Sequence, residues 1–261
     1  MQKLSYTRVP REVSLKHEGE PVDVTGYRSF VGKILFAMKK TYPKLANVAR
    51  ELSSHMEDPG EEHWKSIGRM VGYLKHEVEH GLRLNRPKDL TIVGIVDSDF
   101  ATNKDTRKST TGYLVTVGGC LVSWMSKAQP SVTLSSTEAE YVAASMCVTE
   151  IKFITMLLEE VGISYTKPAM LLEDNTGAIF ILNKDQVGQR TKHIDIKWHH
   201  VQDMIKDGDL VFMYIRSEDN PAGIMTKNTK EALYIKHAMA MKKGVLAVSY
   251  THLTLPTILR V

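Results

Sequence analysis

Two cysteines, three tryptophans and no strong excess of either charge characterise this chain of 261 residues. Cys120 in GGCLV and Cys147 in SMCVT both sit in apolar settings. Two such thiols exclude a disulfide-stapled scaffold and read as reduced core residues. No apolar run approaches the length that spans a bilayer, and the amino-terminal MQKLSYTRVPREV has no apolar signal core. The expectation is therefore a soluble, intracellular protein with no membrane partner. A net charge of +4 fits a nucleic-acid partner but does not by itself point to one. With 43% hydrophobic and 25% charged residues, general disorder is excluded, and the length suits one large domain or two small ones.

The pattern changes once along the chain. From about residue 27 to 84, GYRSFVGKILFAM and EEHWKSIGRMVGYLKHEV carry apolar residues at helical spacing, including Ile67, Val71 and Leu74. Asn85-Arg86-Pro87-Lys88-Asp89 then reads as a polar linker over 85–90. After it come a strand, TIVGIVD, and a hairpin, GYLVTVGGCLVSWMS, turning at Gly118-Gly119. Ser135 and Glu138 form a capping box that opens a long helix, with Ala144, Val148, Ile151, Ile154, Leu158 and Val161 as its buried stripe and Gly162 as its stop. A strand AMLLED, a short helix TGAIFILNK, a helical HIDIKWHHVQDMI and a strand LVFMYIRS follow. The last helix is expected to be capped by Asn220, with Pro221 at its first position, and to run toward Lys243. This order argues for an α/β fold, a mixed sheet flanked by helices. The closing AVSYTHLTLPTILRV shows neither period and resembles the adapter-derived peptide that ends many conceptual translations. Residues 246–261 are set aside as a non-native tail.

Three acids stand where stability alone would not put them. Asp97 ends TIVGIVD and shares a strand face with Val93 and Ile95; Asp174 ends AMLLED after Met170 and Leu172. Glu140 precedes Ala144, Cys147 and Ile151 by helical steps, so it lies on the stripe that faces the sheet. Taken singly, a strand-end Asp is a turn former and an early helical Glu complements the helix dipole. Together, three acids at the carboxyl edge of a sheet repel one another unless cations neutralise them. An all-oxygen set suits Mg²⁺ or Mn²⁺ rather than zinc, and two such ions activate water and stabilise a leaving oxygen in phosphodiester hydrolysis. His193, His199 and His200 lack the partners and spacing of a zinc site. Trp64, Trp124 and Trp198 read as packing residues, and Arg190, Lys192 and His193 as a basic loop able to meet phosphates.

The sequence around the acids resembles the copia-type retrotransposon Pol polyproteins. The matching motifs, in order, are VDSDFA with RKSTTGYLV, SWMSKAQ, LSSTEAEYVA, EDNTGAI and RTKHIDIKWHHV. Residues 21–84 resemble the carboxyl-terminal helical end of the neighbouring reverse transcriptase, through VDVTGYRSFVGKILF, HMEDPGEEHW and GRMVGYLKHEVEHGL. The resemblance covers about 21–243. It implies an incomplete reverse-transcriptase part over 1–84, a ribonuclease H-like domain with a five-stranded mixed sheet over 91–243, and Asp97, Glu140 and Asp174 as catalytic metal ligands holding two Mg²⁺ or Mn²⁺ ions. It further implies the RNA strand of an RNA–DNA hybrid as substrate, the rest of the reverse transcriptase as partner, and a cytoplasmic virus-like particle in an intact element.

Two departures bear on activity. No YxDD motif occurs, so DNA synthesis is not expected. The NPAD element reads Asn220-Pro221-Ala222-Gly223, so the fourth acid is replaced by Gly223. Impaired cleavage is expected; the alternatives are a decayed copy that keeps the fold and can bind hybrids without cutting them, and a fragment that does not fold stably.

Overall fold

A computed structural model describes residues 22–76, 81–103, 106–183 and 195–243. Three helices come first: α1 (Val24–Lys40), α2 (Ala46–Ser53) and α3 (Glu61–His76). Asp23 caps α1, its carboxylate accepting from the Gly26 amide at 3.0 Å. Residues 81–90 form no helix or strand, so the helical run expected to reach 84 ends earlier.

The sheet begins with β1 (Thr91–Asp99), followed by the hairpin β2 (Thr110–Val117) and β3 (Cys120–Ala128). Gly118 and Gly119, with φ of 57° and 78°, make the expected two-residue turn. Next come α4 (Ser136–Glu160), β4 (Thr166–Glu173), α5 (Thr176–Leu182), α6 (Asp195–Lys206) and β5 (Leu210–Tyr214). Two helices close the described chain, α7 (Gly223–Thr226) and α8 (Glu231–Lys243). The strand order is β3-β2-β1-β4-β5, antiparallel through β3, β2 and β1 and parallel through β1, β4 and β5. This is the α/β, five-stranded mixed sheet with flanking helices that the ribonuclease H resemblance implies.

Alternation along the strands divides the core into two layers. Ile92 and Val96 of β1 face α4, where Ala144, Cys147, Val148 and Ile151 are fully buried. Val93 and Ile95 face the other way, with Leu114, Leu121 and Leu172, and are covered by α1–α3, α7 and α8 through Tyr27, Val31, Leu52, Met70, Met225 and Met241. The amino-terminal helices therefore share a core with the sheet. Trp124 of β3 reinforces the junction by donating from Nε1 to the Met38 carbonyl at 3.0 Å. Trp64 packs edge-on to Tyr27 and Phe30, while Phe36 of α1 stays two-thirds exposed. Both cysteines are free and buried, as expected.

Three expectations need correction. The last helix is not continuous: Lys227 is extended (φ −140°, ψ 159°), and the polar Lys227-Asn228-Thr229-Lys230 separates α7 from α8. Asn220 does not cap α7; it accepts from the Ala222 amide at 3.0 Å in a turn ahead of the helix. Also, α4 is long and apolar enough to cross a membrane by length and composition, although no segment was expected to be. Half of its most apolar stretch is buried inside the fold, which makes it the sheet's core helix.

Candidate active site

The pairing of β1 with β4 ends at Ile95 and Leu172, and beyond these residues β4 pairs only with β5. Asp97 and Asp174 sit just past that opening, at the carboxyl edge where parallel strands commonly place ligands. Glu140 arrives from α4, whose start is fixed by Ser135 accepting from the Glu138 amide at 3.1 Å. Glu138 in turn accepts from the Leu134 amide at 2.7 Å, so the capping box closes one residue earlier than Ser135 itself. Gln129 ties this turn to the hairpin, donating from Nε2 to the Ala139 carbonyl at 2.8 Å and to Thr111 Oγ1 at 3.1 Å.

The three acids named from the sequence come together. One carboxylate oxygen from each of Asp97, Glu140 and Asp174 lies within 4.8 Å of the others. They are the one group of three or more His, Cys, Asp or Glu residues arranged so closely among the described residues. Asp97 and Glu140 are buried and Asp174 is half-buried. The donor set fits a hard divalent cation: it is all oxygen, and Glu140 Oε2 is buried without a hydrogen-bond partner.

Three further residues complete the site, and sequence reasoning did not find them. Glu173 is fully buried, its Oε1 accepting from the Asn175 amide at 3.0 Å while Oε2 has no partner. From α7 and the residue after it, the Thr226 hydroxyl donates to Asp97 Oδ2, and Lys227 Nζ lies 3.2 Å from Asp97 Oδ1. Strand alternation would have placed Glu173 on the α4 face. Nothing local marks Thr226 or Lys227, because their role depends on the break after α7.

The electrostatics follow from crowding. Burial, then the fields of Glu173, Asp97 and Asp174, push the Glu140 carboxyl well above the usual range. Burial likewise raises Glu173, despite the Asn175 amide. Burial raises Asp97 as well, and Lys227 and Thr226 return only part of that cost. Burial opposes the charge on Lys227, yet its contact with Asp97 and the fields of Asp174 and Asp99 outweigh it and hold the ammonium above its ordinary pKa. The cluster is thus an anionic concentration short of positive charge.

Gly223 begins α7 and is buried. Beyond its chain neighbours and its own helix backbone, a Cβ there would meet only Lys227 Cε among the described residues, at 3.8 Å, so there is room for a side chain. Asp219 is not aimed at the cluster; it is exposed and paired with Lys236 at 2.7 Å. Asn220 pins the segment by donating from Nδ2 to the Val96 carbonyl at 2.8 Å, next to Asp97. Arg190, Lys192 and His193 lie outside the described residues, as do the side chains of Trp198 and His199 and the tail from 246.

The chain is 36% identical over 225 residues to the retrovirus-related Pol polyprotein from transposon TNT 1-94 of Nicotiana tabacum, covering 86% of the chain and 17% of that protein. It is 33% identical over 237 residues to the corresponding polyprotein from transposon RE1 of Arabidopsis thaliana, covering 91% of the chain and 16% of that protein. The chain thus spans about a sixth of the length of these relatives. Among solved structures, LC11-RNase H1 from a compost metagenome superposes with a TM-score of 0.40 at 17% identity, over 52% of this chain and 92% of that one. No family model matches.

Proposed function

Because the chain belongs to the retrovirus-related Pol polyproteins of copia-type transposons, we propose that its sheet domain is a ribonuclease H that cleaves the RNA strand of RNA–DNA hybrids. Residues 91–243 are the nuclease in this reading, and residues up to 84 are the last helical part of a reverse transcriptase whose remainder is the natural partner. The setting in an intact element is a cytoplasmic particle.

The observation that carries the reading is the convergence of Asp97, Glu140 and Asp174 at the open edge between β1 and β4. These residues would hold Mg²⁺ or Mn²⁺, which when bound lowers the pKa of water and offsets charge on the leaving oxygen. Asp97 is the anchor: Thr226 and Lys227 at the end of α7 hold its carboxylate, and β1 at the centre of the sheet holds its backbone. Glu140 comes from α4 and Asp174 from the end of β4, and the field of the buried Glu173 adds to theirs. The layers around β1 keep bulk water from the buried oxygens, so the fields act in a low-dielectric setting.

In this reading Gly223 makes an impaired nuclease, since the fourth acid that the family resemblance implies at that position is absent. A second reading, a copy that binds hybrids without cutting them, draws on the same glycine. The test is cleavage of a labelled hybrid by the whole chain in Mg²⁺ and Mn²⁺, beside Asp97→Asn and Gly223→Asp. Slow cleavage, abolished by Asp97→Asn and raised by Gly223→Asp, is expected. Hybrid binding without cleavage, even in Gly223→Asp, would leave the second reading standing and sink the first.

A further inference from the structure

Lys227 stands where a cation is needed and an acid is missing. Its Nζ is 3.2 Å from Asp97 Oδ1, while Thr226 occupies Asp97 Oδ2. The lysine stem runs past position 223, its Cε lying 3.8 Å from where a Cβ at Gly223 would sit. The glycine thus removes an anion and leaves open the path that the lysine takes to Asp97. The side chain is only half-covered, so it can also swing outward. Four acids, Asp97, Glu140, Glu173 and Asp174, surround the place it reaches, and two of them keep buried, unpartnered oxygens.

Resting on the nuclease reading, we propose that Lys227 is a positioning residue, a built-in cation that takes the place of one of the two divalent ions, so that this chain holds a single ion. The lysine orients Asp97 and neutralises part of the cluster without adding any metal–oxygen bond. The remaining ion is held by Glu140, Asp174 and what Asp97 can spare. Like charges compete for one carboxylate, so the lysine weakens that ion's binding as well as excluding its neighbour. An aspartate at 223 would reverse both effects: its Cβ would stand 3.8 Å from Lys227 Cε, so its carboxylate could pair with the lysine and release Asp97.

The test counts bound Mn²⁺ on the whole chain by titration calorimetry and by electron paramagnetic resonance of free Mn²⁺. The unmodified chain is expected to bind one ion. Lys227→Met, which removes the built-in cation, is expected to hold its first ion at least about tenfold more tightly, a difference of about 1.4 kcal/mol, and to admit a second. Lys227→Arg, which keeps the charge, is expected to match the unmodified chain, and Gly223→Asp to bind two ions. Two ions on the unmodified chain, unchanged affinity in Lys227→Met, or an arginine variant that behaves like the methionine one would each overturn the proposal and leave the nuclease reading intact. Failure of every variant, Gly223→Asp included, to bind Mn²⁺ would overturn both.

Discussion

Gly112 of β2 stands opposite Asp97 of β1 in the sheet register, and a Cβ on it would lie 2.7 Å from both Met225 Cβ and Thr226 Cγ2. The bare backbone at 112 is what lets α7 settle against the strand that carries Asp97. Gly112→Ala is expected to destabilise the fold by about 1–3 kcal/mol through overpacking. Because the displaced helix carries Thr226 and leads into Lys227, hybrid cleavage should fall as well. Urea denaturation beside a cleavage assay checks both; an alanine variant as stable as its parent would show that α7 does not need this gap.

Asn220 holds the same segment from the other end. Asn220→Ala removes its bonds with the Val96 carbonyl and the Ala222 amide, leaving buried polar groups unpaired. A loss of about 1–3 kcal/mol is expected, read as a lower urea midpoint at unchanged slope. Asn220→Asp should rescue only the contact with the Ala222 amide, since a carboxylate cannot donate to Val96.

Restoring an acid at Gly223 should act on rate rather than on binding. Phosphate contacts supply much of a nuclease's hybrid affinity, whereas the centre acts on the transition state. Gly223→Asp is expected to raise the cleavage rate by more than about tenfold, the equivalent of about 1.4 kcal/mol. Hybrid affinity should stay within about threefold, less than 1 kcal/mol. An unmodified chain that already cleaves as fast as the variant would contradict the claim that position 223 is crippling.

The raised carboxyls of Glu140 and Glu173 make stability depend on pH and metal together. A raised acid pKa means that the folded chain holds the proton more tightly than the unfolded one. Its stabilisation is complete below the ordinary value of 4.5 and is lost as pH rises through the folded values. Metal-free protein should therefore soften from mildly acid toward neutral pH, and Mg²⁺ should raise Tm more at neutral than at acid pH. Glu173→Gln should flatten the metal-free slope. Equal Mg²⁺ shifts at both pH values would contradict this.

His237 on α8 has the opposite slope. Burial, with Lys236 nearby, lowers its pKa from 6.5 to about 4, against the pull of Asp219. A lowered histidine pKa leaves stability whole above 6.5 and erodes it as pH falls toward 4. His237→Gln should therefore gain stability relative to its parent on acidification, measured by Tm across that window. An unchanged difference between the two proteins over the window would show that this imidazole does not titrate with folding.

Much of this was legible in the sequence, for local reasons. Asp97 and Asp174 each close a strand read by alternation, and Glu140 rides a helix announced by its Ser135 cap, so period and face fixed where each would point. The hairpin turn was equally plain in Gly118-Gly119. Glu173 was passed over because its neighbour Asp174 claimed the strand end, although its own buried setting comes from α4 above it. Lys227 was hidden by reading 220–243 as one helix, where a lysine in that position would face solvent. Amphipathic spacing also marked α1 and α3 as helices with an apolar face, but not that the sheet itself is what they pack against.

That last feature changes what a cut through residues 81–90 would do. Val93, Ile95, Leu114 and Leu121 have α1–α3 as their roof, and Trp124 is bonded into α1. Severing the irregular stretch should give two complementing fragments that stay associated, as a nicked protein does, rather than a free nuclease and a loose tail. The seam drawn by composition is one a protease can open. The seam along which the molecule comes apart lies elsewhere.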